Sequence, residues 1–305
     1  MALDTRDLAY FAEILDSGSI TAAALHYGIS QPALSKRMQL LEKRLGVKLL
    51  ERTRTGVTAT IYGESLYVRA RAITSELARA ETELEELSGT GGGKLSIGVL
   101  PSQAADLLPR VVVKLAASRP DLKLTVAEQD RLLLVRGLRQ GDYDLIVSVI
   151  GEYEESLGYL NYKILLHDHP TIVVRKSHPI AETSVVQTDQ FLEYPWIMPP
   201  VTAERRRELQ GYLESLNIKL PLQKVECQSF ALLTAVVSSS DFIGLLPHNV
   251  PSPEERLGLI TSLQVGWTPI DRQIGLLYLR QAPLSSAART LIKELQVAAQ
   301  RDHRH

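Results

Sequence analysis

The chain has one cysteine, Cys227, in 305 residues. No intramolecular disulfide can form and a four-cysteine zinc site is excluded, which suits a reducing cytoplasm. Long apolar runs are missing too. None approaches the roughly 18 residues of a membrane span, and the N-terminus lacks a basic-then-apolar leader. The expectation is a soluble, cytoplasmic protein with no membrane partner. Net charge is nearly absent, at -1, so bulk composition gives no reason to invoke nucleic acid. Catalytic signatures are absent as well: there is no Gly-x-Ser-x-Gly elbow, no dinucleotide fingerprint and no zinc-hydrolase His pair. The run Ser88-Gly-Thr-Gly-Gly-Gly93 before Lys94 imitates a phosphate loop. It fails because Ser88 stands where that motif needs glycine and Leu95 where it needs Ser or Thr. These absences argue against an enzyme, a metal site or another cofactor.

What is present is unevenly placed. Between Ser30 and Thr55 lie Lys36, Arg37, Lys43, Arg44, Lys48, Arg52 and Arg54 against only Glu42 and Glu51. A later segment reverses the sign, with Glu76, Glu81, Glu83, Glu85 and Glu86 against Arg79. A basic patch inside a neutral chain is the electrostatic pattern of a DNA reader with an acidic remainder.

That patch sits among short helices. Leu3, Leu8, Phe11, Ala12 and Leu15 share one face of a first helix that stops at Ser17-Gly18. Ser19 is an N-cap for a second helix, Ile20 to His26, and Gly28 ends it. Only Ile29 separates that glycine from Ser30, the N-cap of a third helix, and so tight a turn makes the two helices cross steeply. On the third helix Leu34, Met38, Leu41 and Leu45 form the apolar stripe. The opposite side presents Pro32, Lys36, Gln39 and Lys43, flanked by Gln31, Ser35 and Arg37. Amides and cations at the exposed start of a helix suit base edges in a major groove, and a hydroxyl suits a phosphate or base edge. A hairpin follows over Lys48 to Ala59, reversing at Gly56, with Arg52 and Arg54 placed to reach phosphates. From Thr60 a long helix runs to about Leu87. Its seam of Tyr62, Leu66, Ala70, Ile73, Leu77, Ala80, Leu84 and Leu87 predicts a dimer coiled coil.

Beyond the glycine-rich linker, strands alternate with helices. Strands are expected at Leu95–Leu100, Leu122–Ala127, Tyr143–Ile150, Lys224–Gln228, Ile243–Leu246 and Gln273–Tyr278, with helices between them. The stretch Ile164–Arg175 reads as two strands broken at His167-Asp-His-Pro170. The pattern predicts an open α/β fold with mainly parallel sheets. The expected organisation is a DNA-binding head over 1–60, a linker helix and hinge over 61–93, and an effector domain over 94–305. That domain divides into two lobes, 94–163 with 268–305 and 164–267.

The run Ser30-Gln-Pro-Ala-Leu-Ser35, with Tyr10-Phe11, Ser17-Gly-Ser19, Ala22-Ala-Ala24, Leu41-Glu42, Leu45-Gly46 and Leu50-Glu-Arg-Thr53, resembles the LysR-type transcriptional regulators. The resemblance covers the chain and is most specific over residues 3–63. It implies a winged helix-turn-helix in which Ser30, Gln31, Pro32, Ala33, Ser35, Lys36, Arg37, Arg52 and Arg54 face promoter DNA. It also implies homodimers assembling to homotetramers, and effector lobes similar to periplasmic solute-binding proteins. A small polar or anionic effector would meet Ser102 and Gln103 after the first strand of the domain. On the facing lobe it would meet Pro200, Val201, Thr202 and Ala203, with Arg131 and Ser229 as further contacts.

Two other features need weighing. His167 and His169 alternate on a strand with His178 nearby, but no third ligand converges, so these histidines read as structural or surface groups rather than a metal site. Cys227 has no resolving partner and reads as a packing cysteine. The alternative class for the chain is a metabolite-binding module whose N-terminal helices only oligomerise. The exposed Gln31, Ser35 and Lys36 speak against it, because oligomerisation does not need them.

Overall fold

The computed structural model describes residues 3–54, 56–88, 92–105, 107–183, 190, 193–201, 203–215, 217–218, 223–247, 253–264 and 271–302. The head begins with α1 (Thr5–Ser17), α2 (Ile20–His26) and α3 (Gln31–Leu45), and a hairpin of β1 (Leu50–Thr53) and β2 (Gly56–Ala59) follows. Local chemistry sets each boundary. The Asp4 side chain accepts from Arg6 N at 2.8 Å to start α1, and Gly18 ends it at φ 64°. Ser19 and Ser30 cap α2 and α3 by accepting from Ala22 N and Ala33 N. Such caps satisfy N–H groups that a helix start would otherwise leave orphaned. The wing closes on the same glycine that ends α1, because Val57 N donates to Gly18 O at 2.9 Å.

The head core contains Leu8, Phe11, Ile14, Leu34, Leu41 and Leu49. Leu3 instead precedes α1 and is exposed. Two buried carboxylates tie the elements together. Asp7 of α1 accepts from Arg37 Nε at 2.8 Å and from Arg44 at 3.2 Å, joining α1 to α3. Glu42 accepts from Leu49 N at 2.8 Å, Leu50 N at 3.2 Å and Lys48 Nζ at 2.7 Å, fastening α3 to the wing. Burial raises the Glu42 pKa, but the Lys48 and backbone hydrogen bonds outweigh that and hold it below the usual value.

The long helix α4 (Ile61–Ser88) starts where expected: Thr60 Oγ1 accepts from Gly63 N at 3.0 Å and donates to Lys48 O at 2.6 Å. Its apolar seam is divided. Leu66 and Ala70 pack into the head of the same chain, whereas Tyr62, Ile73, Leu77 and Leu84 are exposed. A helix that is also the back wall of its own head cannot give its whole seam to a second copy.

The remainder forms two five-stranded sheets. The first has the order β4-β3-β5-β12-β6, from β3 (Lys94–Val99), β4 (Lys123–Glu128), β5 (Leu145–Ile150), β6 (Leu160–Asp168) and β12 (Arg272–Leu279). The second has the order β11-β7-β10-β8-β9, from β7 (Pro170–Arg175), β8 (Trp196–Met198), β9 (Gln223–Glu226), β10 (Ile243–Pro247) and β11 (Ile260–Ser262). Around them lie α5 (Pro101–Ala105), α6 (Leu107–Ser118), α7 (Arg131–Gln140), α8 (Glu152–Ser156), α9 (Glu204–Ser215), α10 (Phe230–Ser239), α11 (Pro253–Arg256) and α12 (Ser286–Asp302). The β5 strand is buried throughout, between α6 and α12 on one face and α7 on the other.

Two expectations need correction here. The sheets are mixed rather than mainly parallel. β3, β4 and β5 pair in parallel, as do β8, β9 and β10, but β12, β6, β7 and β11 join through antiparallel pairings. The chain also changes sheets at His169 rather than at 163–164, because β6 pairs with β12 through Asp168 opposite Arg272. An ion pair between Asp168 and Arg272 closes that crossover, and His167 Nδ1 lies 2.8 Å from Asp271 beside it.

Candidate functional site

The first site is the exposed start of α3. Lys36, Arg52 and Arg54 are exposed and enter no ion pair among the described residues. Ser30, Pro32 and Ala33 are exposed beside Lys36, and Ser30 holds the helix start through its cap. Gln31 Nε2 donates to Ser35 Oγ at 2.8 Å, so the two polar side chains present a paired edge rather than separate probes. Arg37 is placed differently. Its guanidinium binds Asp7 and Asp4 and lies 5.4 Å from the Tyr10 ring centroid, which makes it a tie between α3 and α1. The spacing on α3 placed it beside the DNA-facing set, but Asp7, thirty residues away, is what it meets.

The second candidate lies at the carboxyl ends of the parallel strands. In open α/β sheets ligands bind where neighbouring strands send their connections to opposite sides. In the first sheet that point falls between β3 and β5, and α5 carries Ser102 and Gln103 there. Ser102 is partly exposed and Gln103 is buried. In the second sheet the equivalent point falls between β8 and β10. Pro200, Val201 and Ala203 follow β8, with Ala203 N donating to Pro200 O at 2.9 Å; Thr202 lies outside the described residues. Ser229 caps α10 by accepting from Leu232 N at 3.2 Å, so its oxygen already has a structural task. Cys227 lies two residues earlier, and its Sγ accepts from Ser229 N at 3.2 Å.

Arg131 does not stand free for a carboxylate. It forms an ion pair with Glu154, whose Oε2 also accepts from Gly151 N at 3.1 Å, and Glu154 is only 1% exposed. Sequence reading missed this partner and missed Arg206. Buried Arg206 donates to Pro199 O at 3.2 Å and lies 3.7 Å from Glu226, joining the ends of β8 and β9. Its Nε finds no hydrogen-bond partner among the described residues. The histidines do not converge: His178 is buried against Tyr194, where burial lowers its pKa, while His167 is at the crossover.

Two helices joined by a tight glycine turn and followed by a basic hairpin, ahead of two mixed sheets with topological switch points, form the arrangement of a DNA-binding protein with a ligand-binding domain. Comparison with known proteins agrees along the whole chain. Residues 5–64 match the bacterial regulatory helix-turn-helix protein model of the lysR family, and residues 88–300 match the LysR substrate binding domain. The chain belongs to the LysR family of transcriptional regulators: it is a DNA-binding regulator with a substrate-binding effector domain. It is 26% identical over 291 residues to the HTH-type transcriptional regulator YdcI of Escherichia coli, covering 95% of this chain and 94% of that one. Its fold is similar to ArgP from Mycobacterium tuberculosis, at TM-score 0.74 and 17% identity over 98% of each chain. It is also similar to full-length CbnR complexed with its target DNA, at TM-score 0.66 and 18% identity, covering 97% of this chain and 100% of that one. Among the described residues no helix is long and apolar enough to cross a membrane.

Proposed function

We propose that this chain binds a promoter site in the cytoplasm as a homodimer that assembles to a homotetramer, has no catalytic role, and answers to a small polar or anionic metabolite. Exposed Lys36 of α3 and exposed Arg52 and Arg54 of the hairpin, which enter no ion pair among the described residues, carry the DNA reading. Phosphates reward cations that need not be stripped from an internal partner, and the helix start supplies N–H groups beside them. Ser30, Gln31, Pro32, Ala33 and Ser35 complete the surface laid in the groove, with Arg37 supporting it from behind.

The dimer reading rests on the geometry of α4. At about 100° per residue, Tyr62, Ile73, Leu77 and Leu84 centre on one side of the helix. Arg71, Ser75 and Arg79 lie about 180° away and contact the chain's own effector domain. The exposed apolar side is therefore open to a second copy. The effector would sit between the two crevices, against Ser102 and Gln103 on one lobe and Pro200, Val201, Thr202, Ala203 and Ser229 on the other. With Arg131 and Arg206 already paired, hydroxyls and amides carry most of its recognition.

An electrophoretic shift on the DNA upstream of the protein's own gene, at two salt concentrations, tests the first half. Binding should weaken steeply with salt, and Lys36→Ala should cost about 1–3 kcal/mol. A specific complex that Lys36→Ala leaves intact would overturn the assignment. Thermal-shift screening with organic acids, sugars and amino acids tests the second half. A confirmed hit whose affinity survives Ser102→Ala places the ligand elsewhere.

A further inference from the structure

The turn after α7 is docked on the linker helix. Gly141 caps α7 in the left-handed region at φ 81°, and a Cβ there would overlap the Ser75 side chain. Ser75 Oγ donates to Gly141 O at 2.7 Å. One turn along α4, Arg79 donates to Asp144 Oδ1 at 3.0 Å and to Tyr143 O at 3.1 Å. One turn back, Arg71 forms an ion pair with Asp142 and donates its other nitrogen, Nη1, to Asp16 Oδ2 at 2.8 Å. Asp16 belongs to α1 of the DNA-binding head, and Tyr67 of α4 donates its hydroxyl to the same carboxylate. A single guanidinium thus touches the head and the effector domain together.

The turn is equally well fixed to its own sheet. Ser96 N donates to Asp144 Oδ2 at 2.8 Å, and Ser96 Oγ donates to Asp142 O at 2.8 Å, so β3 holds both aspartates in place. At the other end of α7, some 15 Å away at 1.5 Å per residue, Arg131 grips Glu154 beside the strand ends. One helix, α7, therefore runs from the Arg131–Glu154 pair at the strand ends of the first sheet to the turn that Arg71 bridges.

We infer that Arg71 is a positioning residue that sets the angle of the DNA-reading head through Asp16 and Asp142, with the Gly141–Asp144 turn as the point where the effector domain reaches the head. This inference deepens the proposed ligand response. A ligand that moves the Arg131 end of α7 moves the turn, and the turn carries Arg71 and α1 with it. Coupling of this kind is reciprocal, so DNA bound at the head must be felt at the turn.

The full chain carries the test without any effector. Spin labels are placed at Glu51 and Glu155 in a Cys227→Ser background, diluted with excess unlabelled chain so that only distances within one chain are read. The native protein should give one narrow distance distribution; Asp142→Ala should broaden or shift it. Ser75→Val provides an independent second disruption, and Arg71→Lys should retain part of the native distribution. Hydrogen exchange at residues 141–144 should change about fivefold or more when target DNA is added to the native chain, and not in Asp142→Ala. Affinity for a single DNA half-site should stay within about twofold throughout, because none of the substituted residues belongs to the DNA-facing set. Superimposable distance distributions for native and Asp142→Ala, or a DNA-induced exchange change that Asp142→Ala retains, would overturn the inference. Absence of DNA binding by the native chain with the distance shift intact would instead fault the DNA reading alone.

Discussion

The head and the effector domain treat their cations in opposite ways. The head buries Asp7 to hold Arg37 and Arg44, and leaves Lys36, Arg52 and Arg54 facing solvent. At the strand ends of the effector domain, Arg131 is paired to Glu154 and Arg206 to Glu226 and Pro199. The difference follows from the ligands. A polyanion can be met with water-exposed charge, because neutralising its phosphates releases the small counterions condensed on it. A small molecule in a crevice is chosen by shape and a few placed polar groups, and a free buried guanidinium there would be expensive to maintain unliganded.

The contrast can be broken most sharply at the cores. Leu41 is fully buried in the head, and Leu41→Ala should cost about 2–5 kcal/mol there. The chain has two tryptophans, and the one whose surroundings are described, Trp196, lies in the core of the second sheet. Urea unfolding followed by tryptophan fluorescence should therefore be nearly unchanged in that variant while DNA binding is lost. A matched loss in both signals would mean that the two regions fold as one unit.

A smaller effect separates the ion pairs. Asp7→Asn keeps the shape but weakens two pairs whose arginines are about a third exposed, so the head should lose only about 1–2 kcal/mol. Half-site affinity should fall with it. An unchanged half-site affinity at full head stability would show that Arg37 needs no such support.

The mildest probe is acid. Burial lowers the His178 pKa below its ordinary 6.5, so its neutral form stabilises the second lobe above that value and the contribution fades as pH falls toward the folded value. Glu42 is held below its ordinary 4.5, so its contribution persists to lower pH before it is lost through protonation. Between roughly pH 7 and 5 the tryptophan-reported midpoint should drop while head stability holds, and His178→Phe should flatten that slope. A head that weakens first would reverse the assignment.

Legibility in the sequence followed the range of the interactions. Helix starts at Ser19 and Ser30, the stops at Gly18 and Gly28, and the entry to α4 at Thr60 are local devices, and each stands where residue chemistry put it. Partners distant in the chain were invisible. Nothing near Arg37 points to Asp7, and nothing near Arg131 points to Glu154. The three-residue strand Trp196–Met198 was too short to show a period, although it lies at the centre of the second sheet's parallel strands. One signal was readable and passed over: Arg71, Ser75 and Arg79 recur at every fourth position of α4, which marks a second face beside the apolar seam.

That second face bears on how such proteins diversify. Because α4 presents one side to its own effector domain and the other to a prospective second copy, it is inherited by neither region alone. A chimaera joining this head to a foreign sensor at the glycine-rich stretch after Ser88 would carry Arg71, Ser75 and Arg79 with the head. The foreign turn would then have to supply its own glycine and acidic pair, or the transplant would bind DNA and hear nothing.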